Sequence, residues 1–537
     1  MVTVGGMGTA TAMVSGSRFR ARMSVRKGVS WFVRWLLLVV PLSWGAGVRA
    51  GKWDLVPRVD TNLVATDNVM WAPPGKEESD LLGRVAPGIR LEGKGARLSA
   101  QLDYQPEAIL FVSDSARNRI YHRGQGGMKS EFLDDWLYFD AAGAVGQRIL
   151  SEQEPLPLDN LGFSSNTTNF TSYSVNPYLR HDFGEMTTAL LSYTQGAIEY
   201  DSAEASNAYT RNTRFLMESG RSFRVFTWRL GYDEEDIRRP RSYDVFYSDA
   251  NASAVWRLLD DFSLVGQVGY TENDTGGQFL VIDGSYWSAG GLWHPSRRFS
   301  LELQSGNNLD TGIIVIAPSL RTSLRAIYEN RSVGVNLGPR WRWRLEHRTR
   351  GTTWTGTYFE DTRLSQQRVP YAGDSILVSP GTLELRDPVT GDPIYCTGID
   401  VSDCFTLNDD AYKRRAGRFS VTLDTARSTF GFYLNSEFHD YLTGNRGQRR
   451  ISGLAGTWDW KLGKRTLSRL LFSWTGHDYP SGAGKSYERK IAQLNLTRQL
   501  GPATHGILGY RRVSQSGEED APRYTENRIY AQLRVVF

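Results

Sequence analysis

Three groups of residues in this sequence have types and spacings that could do chemistry. His439-Asp440 and His477-Asp478 each place a histidine beside an aspartate, the combination a hydrolase uses to orient a general base. The seven histidines (His122, His181, His294, His347, His439, His477 and His505) are otherwise scattered without metal-ligand spacing, and no Ser/His/Asp set stands out. The two pairs therefore read as polar residues near strand ends, with a hydrolase at a barrel rim as a remote alternative. No Walker-type or dinucleotide-binding loop is present, so no cofactor and no metal is expected. The second group is Cys396 and Cys404, eight positions apart in a Gly/Pro/Asp-rich stretch. Two thiols are too few for a metal, and in an exported chain they are expected to form a disulfide.

The third group is a row of arginines. Arg340, Arg342, Arg344 and Arg348 alternate with Trp341, Trp343 and Leu345, so on a strand the guanidinium groups share one face. Lining a pore, such a row attracts anions and can hold the carboxylates of an acidic polysaccharide. The plainer reading, and the expected one, is an ion-pair lattice with acids such as Glu346 on the same face.

The elements that must carry these residues are strands. Leu98, Ala100, Leu102 and Tyr104 alternate with Arg97, Ser99, Gln101 and Asp103, and Phe419, Val421 and Leu423 alternate with Arg418, Ser420, Thr422 and Asp424. Phe226, Trp228, Leu230 and Tyr232 likewise share a face. Period two over about ten residues, segment after segment, gives each strand one oily and one wet side. Short turns at Gly93-Lys94-Gly95, Phe183-Gly184-Glu185, Lys461-Leu462-Gly463-Lys464 and Leu500-Gly501-Pro502 contrast with longer polar loops at the opposite strand ends. That asymmetry is the pattern of a transmembrane antiparallel up-and-down β-barrel, with short periplasmic turns, long external loops and the wet face lining the lumen. The many Trp and Tyr residues fit interfacial girdles.

At the end of the chain Ile529, Ala531, Leu533, Val535 and Phe537 fall on one face, opposite Tyr530, Gln532 and Arg534. A final strand closing on an aromatic residue resembles the signal by which outer-membrane proteins are handed to their insertion machinery. Counting hairpins back from it predicts segments near 522–537, 503–513, 486–499, 465–477, 450–460, 428–439, 414–424, 352–362 and 334–348. A tight turn is expected at Asp134-Asp135, and the repeat Pro295–Leu301 against Pro318–Leu324 reads as two short turns, each feeding an ascending strand. The total is about 24 strands, with 22 also allowed by the even-number rule. Long external loops are expected at about 363–412, either exposed or folded inward, and at 148–170.

Compartment and charge follow from the first fifty residues. They carry seven basic side chains and no acid, and without those seven, 56 basic residues face 58 acidic ones. The basic excess is thus a leader property, and the body has no electrostatic footprint for nucleic acid. From Met23, Arg26, Lys27 and Arg34 precede the apolar run Trp35–Leu42, too short to span a bilayer, and Val48-Arg49-Ala50 suits cleavage after Ala50. Residues 1–50 are read as a signal peptide with an extended n-region, and 51–537 as the barrel. Strand-like sequence begins near Trp53, where a TonB-dependent transporter would place a folded plug.

Several stretches go beyond generic alternation. Asp134-Asp135-Trp136-Leu137-Tyr138-Phe139-Asp140-Ala141, Ser172–His181, His347-Arg348-Thr349-Arg350 with Trp354 and Tyr358, and the opening from Pro57 to Thr66-Asp67-Asn68-Val69 resemble the PEP-CTERM/exosortase system-associated outer-membrane β-barrel family. The resemblance covers most of 51–537, and the stretch from about 308 to 333 departs from the pattern. It implies a porin-like Gram-negative outer-membrane protein associated with exopolysaccharide production and PEP-CTERM protein sorting, and it supplies no catalytic residues. The expected function is passive passage or secretion through the lumen. The partners expected are outer-membrane lipid, the barrel insertion machinery and exopolysaccharide or its export proteins. A non-conducting barrel that anchors partners through the 363–412 loop is the alternative.

Overall fold

The computed structural model describes residues 51–150, 161–162, 164–277, 280–363, 377–379, 382–386, 393–395, 411–442, 447–480, 482, 484–518, 521 and 523–537. The expected signal peptide, its cleavage after Ala50 and the expected Cys396–Cys404 disulfide lie outside these residues, as does most of the 363–412 segment.

Alternation becomes a closed wall. Twenty-four antiparallel strands follow one another in chain order from Lys52–Thr66 to Tyr524–Val536, each hydrogen-bonded to its sequence neighbours. The first and last strands close the circle, with Arg58 opposite Val536 and Thr66 opposite Arg528. Closure leaves no edge, which is the condition for a sheet to sit in hydrocarbon. Three short strands, Leu377–Ser379, Thr382–Arg386 and Pro393–Tyr395, pair only with one another. Among the described residues no helix is long and apolar enough to cross a membrane.

Both ends of the wall match the loop asymmetry. One end carries connections of two to six residues, such as 95–97, 134–136, 184–186, 297–298, 320–321 and 464–465; the other carries the longer loops, including 67–79, 150–166 and 275–283, together with the one-residue connection at Asn308. The repeat at Pro295 and Pro318 falls on two of the short turns, and Asp135 makes its turn with φ +58°, a conformation aspartate tolerates. The nine segments counted back from Phe537 all correspond to strands, from Gly338–Arg348 to Tyr524–Val536. The stretch 308–333 is a hairpin, Leu309–Ser319 with Thr322–Arg331, whose register shifts between Ile316 and Ser319, preceded by a loop of the single residue Asn308 at φ +63°.

The two faces divide as the pleat requires. Leu55, Leu63, Ile89, Leu191, Leu264, Phe432, Leu470, Leu494 and Ile529 point outward and are exposed, an apolar band suited to acyl chains. Toward the short-turn end the same face carries Trp53, Trp136, Trp256, Trp293 and Trp460. Ile529, Ala531, Leu533 and Val535 lie on this outer face, paired in register with Ala65, Leu63, Thr61 and Val59. The Phe537 amide donates to the Pro57 carbonyl at 2.9 Å, and its ring remains exposed. On the inner face the seam is fastened by Asp60, which accepts from Arg534 Nε at 2.6 Å and Gln105 Nε2 at 2.7 Å.

Candidate functional site

The inner face is a charged surface organised by cross-strand pairing. On Gly338–Arg348 the arginine row points the way its alternation with exposed Trp341 and Trp343 demands. Arg340 pairs with Glu329, and Arg344 (2.7 Å) and Arg348 (3.7 Å) share Glu346. Arg331 extends the network to Glu329 at 3.6 Å and Asp249 at 3.8 Å while lying 4.3 Å over the Tyr286 ring. Three of the four arginines in the row therefore have a carboxylate partner, although Arg344 and Arg348 share one between them. Arg342 makes no ion pair among the described residues and sits between Ile327 and Phe359 on the neighbouring strands.

A second basic region, not singled out in the sequence, lies at the loop end of the inner wall and is far more buried. Arg414, Arg449, Arg489, Arg511 and Arg528 are all under 9 % exposed, against two buried glutamates, Glu437 and Glu526. Pairing in register sets the row: Asp361 lies opposite Arg414, Arg414 opposite His439, and His439 opposite Arg449. Arg414 Nε donates to Asp361 at 3.1 Å. Glu437 accepts from Arg418 at 2.7 Å and contacts His439 at 3.3 Å. Glu526 accepts from Thr66 Oγ1 at 2.9 Å and pairs with Arg528 and, at 3.5 Å, with Arg511. Arg449 Nη2 meets His477 Nδ1 at 2.8 Å, and the His477 ring stacks on Tyr487 at 4.4 Å.

This geometry bears on the two His-Asp pairs. His439 and His477 are buried on the inner face, whereas Asp440 and Asp478, one residue on, project to the opposite face. Neither histidine can be oriented by its sequence neighbour, and the carboxylate that reaches His439 is Glu437. Among the described residues no group of three or more His, Cys, Asp or Glu is placed to hold a metal ion.

The first loop packs inward against this wall. Asn68 folds the first loop back on itself, accepting from the Ala72 amide at 2.8 Å and donating to the Thr525 carbonyl at 3.0 Å. This sets Trp71, at φ +50°, against Ile491, Val513 and Tyr524 on the inner wall. Gly162, from the loop after Leu137–Ile149, lies so close to the Trp71 ring that a Cβ there would fall 2.1 Å from it, so only glycine permits the contact. Leu161 beside it joins Val64, Val69, Leu82, Ile109 and Phe111 in an apolar cluster.

No family model matches the chain, and no curated protein matches it. Solved structures with a similar chain path include the siderophore receptor PirA from Acinetobacter baumannii, at 10 % identity over 91 % of this chain and 81 % of that chain, TM-score 0.45. The FrpB iron transporter from Neisseria meningitidis (F5-1 variant) is similar at 9 % identity over 90 % and 83 %, TM-score 0.47. The ferric enterobactin receptor PfeA from Pseudomonas aeruginosa, in a mutant form with enterobactin bound, is similar at 13 % identity over 90 % and 81 %, TM-score 0.44. At these identities and TM-scores none of the three bears on what this chain binds.

Proposed function

We propose that this protein is a porin-like channel of the Gram-negative outer membrane, through which a solute or polymer passes or is secreted passively, in the exopolysaccharide- and PEP-CTERM-linked setting its sequence resemblance implies. The observation that carries the reading is the wall: 24 strands closed on themselves, oily outside and lined by ion-paired charge inside. With strands about 4.8 Å apart and tilted by about 40°, a circular section has a backbone radius of about 24 Å, wide enough for an aqueous path. Inner charges and the inward-packed loops then set size and charge preference. Short turns face the periplasm, and the outward C-terminal face from Ile529 to Phe537 engages the insertion machinery during assembly.

Trp71 and its loop favour a second reading, a non-conducting barrel that anchors partners, because they cover part of the mouth. Swelling of proteoliposomes in isotonic sugars separates the two. A channel admits small sugars and excludes larger ones at a sharp size limit, and a sealed barrel admits none. Replacing Arg342 and Arg344 with Ser is expected to lower anion preference in the same vesicles; unchanged selectivity counts against a lumenal role for that row.

A further inference from the structure

We infer that the loop-end inner wall holds a binding site for an oxyanion centred on Arg489. Arg489 is 1 % exposed, and among the described residues none of its three guanidinium nitrogens has a hydrogen-bond partner. A buried, unpaired cation is strongly destabilising, so a fold that retains one points to a counter-charge that arrives from outside. The wall itself cannot supply it. The in-register neighbours of Arg489 are Thr475 on one side and Gln515 on the other, both neutral. The two buried glutamates of this wall are already engaged, Glu526 by Thr66, Arg511 and Arg528, and Glu437 by Arg418 and His439.

The surroundings suit an anionic ligand. Arg449, Arg511 and Arg528 add positive potential from the same inner face, and the stacked His477 and Tyr487 rings form a flat side next to Arg489. Outward-facing Glu488 and Lys490, on the same strand, are paired at 3.4 Å, which puts this level above the apolar band and at the mouth of the barrel. A guanidinium fork matches the paired oxygens of a carboxylate or a phosphate, so the ligand class is an oxyanion presented by a sugar acid or by a phosphate-bearing solute. The inference deepens the channel reading by naming the class of solute, and rests on it only for access from the lumen.

The test uses protein purified from membranes and urea unfolding in low-salt buffer, with inorganic phosphate or trigalacturonate as probe. The wild type is expected to be stabilised saturably by at least one probe, and Arg489→Met to bind that probe at least tenfold more weakly. Without probe, Arg489→Met is expected to be the more stable of the two, because it removes an unpaired charge. Stronger stabilisation by trigalacturonate identifies a sugar carboxylate, and stronger stabilisation by phosphate identifies a phosphate-bearing solute. Arg489→Lys keeps the charge without the fork, folds even if the methionine variant does not, and is expected to bind several-fold more weakly. Equal stabilisation of all three proteins, or of none, overturns the site. Because stability is the readout, a barrel that binds but does not conduct leaves this inference standing while removing the channel.

Discussion

Disrupting the seam between the first and last strands tests the closure of the barrel in a single register. Asp60 is 1 % exposed and accepts three hydrogen bonds, from Arg534 Nε (2.6 Å), Arg534 Nη2 (3.2 Å) and Gln105 Nε2 (2.7 Å). Arg534 is 31 % exposed, so its half of the pair is partly screened by water. Asp60→Ala takes the carboxylate from the buried Gln105 amide and the partly exposed Arg534 guanidinium and is expected to cost about 3 kcal/mol; Arg534→Ala leaves Gln105 on the carboxylate and is expected to cost about 2 kcal/mol. Charge-assisted bidentate bonding with one partner a third exposed sets the coupling, so the double variant is expected to fall about 1.5 kcal/mol short of additivity. Urea unfolding from lipid vesicles, followed by tryptophan fluorescence and heat-modifiable gel mobility, measures all four proteins. The exposed pair Arg229–Glu218, at 58 % and 40 %, is the internal control, with coupling below about 0.5 kcal/mol. Additivity at Asp60 and Arg534 within the error of that control would refute the register and with it the closure.

Other perturbations test the faces, the mouth and the shortest loop. Trp343→Arg puts a charge on the outer face at mid-strand and is expected to cost about 2–4 kcal/mol in vesicle unfolding, whereas Arg342→Ala on the inner face stays within about 0.5 kcal/mol; similar costs for the two would reverse the face assignment. Trp71→Ala removes the contact that holds the first loop over the mouth and is expected to raise the size limit for sugar uptake, and Gly162→Val, which cannot fit beside the ring, is expected to do the same; an unchanged limit in both would show that these loops do not restrict the path. Asn308→Val forces a β-branched residue into φ +63° and is expected to cost about 1–2 kcal/mol, while Asn308→Gly is tolerated; equal stability of the two would mean that the one-residue loop is not built this way.

Which parts of this architecture are readable from sequence depends on where along a strand the outer face meets lipid. In mid-strand, Phe430, Phe432 and Leu434 or Leu494 and Leu496 must be apolar while their neighbours need not be, so period two stands out and the hairpins can be counted. The ends of strands lack that contrast. Tyr487-Glu488-Arg489-Lys490 is polar on both faces, because Glu488 and Lys490 leave the apolar band while Tyr487 and Arg489 face inward. The loop-end arginines are inconspicuous for that reason, and because neighbours such as Arg449, Arg489 and Arg511 come from separate strands. Register is the signal that finds them: pairing each strand with its neighbours lines up Arg414, His439 and Arg449 in one cross-strand row and sets Arg511 opposite Arg528. The row at Arg340 is conspicuous because it lies on a single strand, yet three of its members are spent on Glu329 and Glu346. The 308–333 stretch is hard to parse because its leading loop is one residue long, which leaves no polar punctuation between strands.

Single-channel conductance of the purified protein in a planar bilayer, after heat-modifiable mobility has shown that it is folded, bears most directly on the proposed channel. Stable, discrete steps whose ion selectivity shifts in Arg342→Ser/Arg344→Ser are expected from a charged aqueous lumen. A folded barrel that stays silent across voltages, and remains silent in Trp71→Ala, would contradict the channel and leave the partner-anchoring barrel as the reading to pursue.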